Sequence, residues 1–206
     1  MERGGRVLYV GADDHWHPCT KRKGELNVAT FSLDDTDSIV QPYPNRKSYE
    51  AFSKWLGRGE RDYRFTILSD DKSSRRGNNL VFTAQYLIRE YLKFQAHIRK
   101  IFLYMDGPIS DLEAEFLRGE FQDFGRNFSV EGFPKIPKDP NKRGHKTKKY
   151  LSPILIPMAD KLAYRLGNEK FKKIMQDPKF VNIDLSRIEN MDELLKNRRL
   201  AQVIQK

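Results

Sequence analysis

Hydrophobic and polar positions along this chain recur with two periods, and the switches between them mark out its elements. Near the front, residues 6–12, 26–33 and 63–69 are rich in β-branched and aromatic side chains and read as strands. In "LNVATFSL", Val28, Thr30 and Ser32 share one face, and Asn27, Ala29 and Phe31 share the other. Between the second and third strands, "IVQPYPN" is rich in turn residues, and "SYEAFSKWLG" predicts a short helix capped by Ser48 and stopped by Gly57. Leu80, Ala84, Leu87, Ile88, Tyr91 and Leu92 then recur at three- and four-residue spacing, which predicts a helix over 79–96 with one buried stripe.

Further on, "RKIFLYMD" (99–106) is nearly all apolar, the pattern of a central strand buried on both faces. "SDLEAEFLRGEFQDFG" opens on Ser110 and Glu113 at capping-box spacing and stops at Gly125. "NFSVEGF" (127–133) reads as another strand. A Pro- and Lys-rich loop over 134–150 leads into "SPILIPMADKLAYRLG", a helix with Pro153 or Pro157 in its first turn and Gly167 at its end. Residues 168–206 read as two or three short helices split near Pro178. Three strands followed by helix, strand, helix, strand and helix predict an α/β fold. The expected architecture is a mixed central sheet with helices on both faces over 1–167, followed by a helical C-terminal extension over 168–206.

Composition narrows the class. The 206 residues suffice for one substantial core. Charged residues make up 32%, and the longest apolar runs, such as "PILIPMA", are far too short to cross a bilayer. The first residues lack the apolar core of a signal peptide, and the single cysteine excludes an internal disulfide, so a reducing cytoplasm is the expected location. A net charge of +10 points to polyanionic partners, with nucleic acid (DNA, RNA or a hybrid) the foremost. The charge gathers in the loop-like runs "TKRKG" (20–24), "SSRRGN" (73–78) and "NKRGHKTKK" (141–149), and in the tail "KNRRLAQVIQK". Arg75 and Arg76 precede the 79–96 helix, where free N–H groups and the helix dipole favour a phosphate.

Against this basic background a few acids stand out. Asp13 and Asp14 follow the apolar "VLYV" inside "GADDHWHP" (11–18) and are expected to end the first strand. Asp106 ends "IFLYMD", just before Gly107 and Pro108. Asp160 lies among Pro157, Met158, Ala159, Leu162 and Ala163, where a charge is costly to bury without a partner. Carboxylates brought to one sheet edge repel one another until cations relieve them, and hard oxygen donors suit Mg²⁺ or Mn²⁺. A second metal reading is zinc at His15, His17 and Cys19, which alternate by two and would share one face of a strand. Their spacing is not that of a common zinc motif, and Asp13 or Asp14 would have to complete the set.

The order and spacing of these acids are similar to the ribonuclease H-like superfamily, in which carboxylates stand on the first strand, the fourth strand and a late helix. "GADDHWHP", "FLYMDGP" and "HKTKKYLSPILIPMADKLA" locally resemble stretches of type 2 ribonucleases H. The last also resembles the late helix of an uncharacterised nuclease family whose chains begin with "DES". The sequence departs from the type 2 pattern at His15-Trp16-His17-Pro18, which replaces glycines, and at Lys148, which replaces a motif aspartate. Asp160 then becomes the fourth carboxylate, and ribonucleotide-reading specificity is not implied.

The resemblance implies a divalent-metal-dependent nuclease in which two ions about 4 Å apart flank a phosphodiester. Asp13, Asp106 and either Asp14 or Asp160 would hold them. His145 would shuttle a proton near neutral pH, and Lys146, Lys148 and Lys149 would hold the phosphate backbone without reading sequence. The alternatives are a non-catalytic nucleic-acid-binding module on the same fold, or an interaction protein docking through its C-terminal helices.

Overall fold

The computed structural model describes residues 6–16, 24–42, 49–69, 79–122, 125–133 and 151–183. The expected mixed α/β sheet with helices on both faces is present. Its elements run β1 (Arg6–Trp16), β2 (Gly24–Ser32), a 3₁₀ turn (Asp35–Ser38), β3 (Val40–Pro42), α1 (Tyr49–Leu56), β4 (Arg61–Ser69), α2 (Asn79–Leu92), β5 (Ile98–Asp106), α3 (Asp111–Gln122), β6 (Asn127–Phe133), β7 (Leu151–Pro153), α4 (Leu155–Gly167) and α5 (Phe171–Met175). Five strands form the main sheet in the order β4-β2-β1-β5-β6. β1 is antiparallel to β2 and parallel to β5, and β5 is parallel to β6.

Strand alternation divides the core in two. Leu8, Val10 and Ala12 of β1, Ala29 and Phe31 of β2, and Ile101, Leu103 and Met105 of β5 pack beneath α2 and α3. Leu26, Val28, Phe65 and Tyr104 face the other way, toward α1 and α4. Some helix boundaries follow the sequence signals, but α2 ends at Leu92, four residues short of the expected 79–96, and the expected cap Ser48 lies outside the described residues. Glu113 accepts from the Ser110 N–H at 2.9 Å, closing the capping box, and Gly125 terminates the α3 region with φ +66°. Of the two candidate prolines, Pro157 occupies the first turn of α4, where no N–H is needed, while Pro153 lies in β7.

Three features depart from the sequence reading. β1 does not end at the aspartates: its ladder with β2 continues through Asp13↔Val28, Asp14↔Asn27, His15↔Leu26 and Trp16↔Glu25. β3 and β7 form a separate two-stranded ribbon between the excursion and the start of α4. The part of the extension that is described contains one helix, α5, and then an extended segment along the outer edge of β4. There the Phe65 N–H donates to the Lys179 carbonyl at 3.1 Å, and the Val181 N–H donates to the Phe65 carbonyl at 2.8 Å. Val181 and Ile183 enter the first core and Ile174 the second, so residues up to 183 help cover an edge that would otherwise invite pairing with another chain.

Candidate metal-binding rim

Register and alternation place Asp13 and Asp106 side by side. The β1–β5 ladder pairs Tyr9 with Phe102, Gly11 with Tyr104 and, last, Ala12 with Met105. Asp13 and Asp106 are each one residue beyond that final pair, at the same end of neighbouring parallel strands spaced about 5 Å apart. Because Ala12 and Met105 point toward α2 and α3, both aspartates belong to the face covered by α4. The Tyr9 and Phe102 rings, stacked with centroids 5.6 Å apart, mark the same face further down the strands. Asp13 is only 4% exposed, and its Oδ1 accepts from the Asp14 N–H at 2.8 Å.

Asp160 reaches this rim from the helix layer. α4 crosses β1 at Gly11, where the absent side chain leaves room for the backbone at Leu155 and Ile156. The Thr30 hydroxyl fastens the crossing by donating to the Leu155 carbonyl at 2.9 Å. Further along, the His15 ring meets Tyr164 edge-on at 5.7 Å. Gly11 to His15 spans about 13 Å of strand, and Leu155 to Tyr164 about 13.5 Å of helix, so the two elements run together in the same direction. On that scale Asp160 is level with Asp13. It shares its helix flank with Ile156 and Ala163, whereas Arg165, on the opposite flank, lies over the Tyr49 ring of α1 at 5.3 Å. Asp160 therefore stands on the side of α4 away from α1. It is 8% exposed, and beside it Lys161 is also buried. Burial pushes the Lys161 pKa down, partly countered by the Asp160 carboxylate.

The three acids share a rim without forming a closed cage. Among the described residues, no three histidine, cysteine, aspartate or glutamate side chains are gathered closely enough to hold a metal ion. The donor chemistry of Asp13, Asp106 and Asp160, oxygen only, fits Mg²⁺ or Mn²⁺ rather than zinc.

Asp14 takes the opposite face, directed toward α2. Its neighbour there is Glu25, 8% exposed, which accepts from the Asn79 amide at 2.9 Å. Burial raises the Glu25 pKa; the Asn79 bond partly offsets this, and the Asp14 charge raises it further. Beside them the Thr83 hydroxyl donates to Asn27 Oδ1 at 3.1 Å. The sequence reading missed this polar cluster. Its signals were Asn27, in register with the core residues Ala29 and Phe31, and the i, i+4 pair Asn79 and Thr83.

Of the remaining candidates, His15 lies on the Asp13 face against Tyr164, whereas His17 and Cys19, the other two members of the zinc set, lie outside the described residues. Arg75, Arg76, His145, Lys146, Lys148 and Lys149 lie outside them as well. No helix among the described residues is long and apolar enough to cross a membrane.

No protein-family model and no curated protein sequence matches the chain. Among solved structures, it is similar to the human cytomegalovirus terminase nuclease domain, in a Mn-soaked, inhibitor-bound form, at 15% identity and a TM-score of 0.27. The match takes in 72% of this chain and 51% of that one, so the chain spans about half the length of the structure it matches.

Proposed function

We propose that this chain is a divalent-metal-dependent nuclease with a ribonuclease H-like sheet, cutting phosphodiester bonds of DNA, RNA or a hybrid. The supporting observation is the placement of Asp13 and Asp106 on adjacent parallel strands, at one end and on one face, with Asp160 level with them on α4. In this reading Asp13, Asp106 and Asp160 hold Mg²⁺ or Mn²⁺, and Asp14, on the other face, does not. When bound, such ions activate water and stabilise the leaving oxygen of a phosphodiester. The chain itself supplies orientation. β1 and β5 fix two carboxylates at the spacing of neighbouring strands, and α4 carries the third on a helix pinned at Gly11 and Thr30. His145 exchanges a proton near neutral pH, and Lys146, Lys148, Lys149, Arg75 and Arg76 hold phosphates.

The test is cleavage of single-stranded, double-stranded and hybrid substrates with Mn²⁺, comparing the parent with Asp106→Asn. Cleavage by the parent and its loss in the variant support the reading. A parent inert on all three substrates contradicts it. A second reading, a non-catalytic nucleic-acid-binding module, is favoured by the charge of +10 and by the lack, among the described residues, of a group of three side chains close enough to hold a metal ion. It expects affinity that falls steeply with salt and is indifferent to metal.

A further inference from the structure

At the end of the sheet opposite the carboxylates, β5 carries a bulge. Arg6 pairs with Ile98 and Val7 with Lys100, so two steps along β5 face one step along β1. The extra residue keeps Ile98 and Ile101 in the core and throws both Arg99 and Lys100 out of it. Bulges re-aim side chains in this way and are enriched beside functional sites. Arg126, in the turn before β6, donates through Nε to the Ile98 carbonyl at 3.2 Å. Burial and the neighbouring Arg99 cation push the Arg126 pKa down, so the two guanidinium groups repel one another. Lys100 Nζ lies 4.5 Å from the centre of the Phe102 ring.

Elsewhere at this end, Arg6 pairs with Glu60 at 2.5 Å and Arg64 with Asp62 at 2.7 Å. Among the described residues, no carboxylate pairs with Arg99, Lys100 or Arg126. In the turn that leads into β5, Phe94 is 78% exposed. Cations with no carboxylate partner among the described residues, on a strand entered through a turn that bares an aromatic ring, suit a strand of nucleic acid, whose phosphates take the charge and whose bases stack.

We propose that Arg99, Lys100, Arg126 and Phe94 form a second nucleic-acid contact, an exosite for single strands at the far end of β5 from the carboxylate rim. The two ends are roughly 26 Å apart along the strand. The proposal rests on the nuclease reading for the identity of the polyanion, and it adds a substrate class: single strands long enough to run from exosite to rim.

The test is binding of a labelled oligothymidine to the full chain in EDTA, so that cleavage plays no part. Four variants are compared with the parent. They are Arg99→Gln/Lys100→Gln/Arg126→Gln, Arg99→Gln/Lys100→Gln (which keeps the Arg126 bond to Ile98), Phe94→Ala, and the control Lys54→Gln/Arg58→Gln/Lys172→Gln, which removes the same charge elsewhere. The triple exosite variant is expected to bind about tenfold more weakly at moderate salt, with the slope of log affinity on log salt reduced by about 2. The double variant should lose part of this, and the control much less. Phe94→Ala should weaken binding of the single strand but not of a duplex. Equal losses in the control and the exosite variants, no binding by the parent, or equal competition by polyglutamate would each overturn the proposal. Exosite-dependent binding by a parent that does not cut with Mn²⁺ would sink the nuclease reading alone. Metal-dependent cutting with binding unchanged in the exosite variants would sink the exosite alone.

Discussion

Leu155 of α4 rests on Gly11 of β1 with no space for a side chain between them. A β-carbon on Gly11 would fall inside van der Waals contact with the Leu155 backbone and lie 2.7 Å from the Ile156 nitrogen. This contact sets the height of α4 above the sheet, and with it the distance from Asp160 to Asp13. Gly11→Ala is expected to cost about 1–3 kcal/mol through overpacking. It should also lift Asp160 from the rim, so that metal-dependent cleavage falls further than the loss of folded protein explains. Urea denaturation and a cleavage assay on one preparation check both effects; a stable, fully active variant would show that the close approach is dispensable.

Away from the rim, Arg61 and Asp37 form a buried two-pronged ion pair. Arg61 donates through Nε and Nη2 to the two Asp37 oxygens at 2.6 and 2.9 Å, and through Nη1 to the Trp55 carbonyl at 3.1 Å. The Arg61 and Asp37 side chains are 8% and 5% exposed. Asp37→Ala leaves a buried guanidinium without its main counter-charge and is expected to destabilise the fold by about 3–5 kcal/mol. The urea midpoint measures this, and a shift below about 1 kcal/mol would show that water reaches the site.

The Glu25 cluster gives a pH dependence of definite sign. Its folded-state pKa is raised by burial, so the native protein holds the proton more tightly than the unfolded chain does. Stability from this group is complete below the ordinary carboxylate range and is lost as pH rises through the raised value. Glu25→Gln keeps an oxygen for the Asn79 amide and removes the charge. The variant is therefore expected to be more stable than the parent at about pH 7.5 and nearly equal to it at about pH 4. Denaturant midpoints at the two pH values decide it, and a constant offset between the proteins would be evidence against a raised Glu25.

The segment along the β4 edge should protect it. Native-state hydrogen exchange is expected to show slow exchange at the Phe65 and Val181 N–H groups, which bond to Lys179 and Phe65. A chain ended after Gln176 loses Val181 and Ile183 from the core and bares the strand. It should unfold at lower urea and self-associate through the freed edge. A truncated chain that stays monomeric, with Phe65 still slow, would show that the segment is ornamental to the sheet.

Much of this was legible in the sequence, for physical reasons that differ from element to element. The stripe on α2 and the Ser110–Glu113 box are local signals, so the folded chain reproduces them. Asp106 was conspicuous because a charge ended an apolar strand. The true end of β1 was not legible: "DDHW" has little strand propensity, and its strand geometry comes from backbone pairing with β2. The ribbon of Val40–Pro42 with Leu151–Pro153 is too short to carry a period. Glu25 and Asn79, and likewise Phe65 and Val181, meet only through tertiary folding, which no window along the chain can register. The bulge at Arg99 was hidden for a related reason, since it is defined by the register against β1.

The most direct measurement of the central claim is anomalous scattering from a crystal of the full chain soaked in Mn²⁺. The expected result is a peak between the Asp13 and Asp106 carboxylates, within about 2.3 Å of their oxygens and in reach of Asp160. Empty density at that rim, or a manganese peak held elsewhere in the molecule, would contradict it.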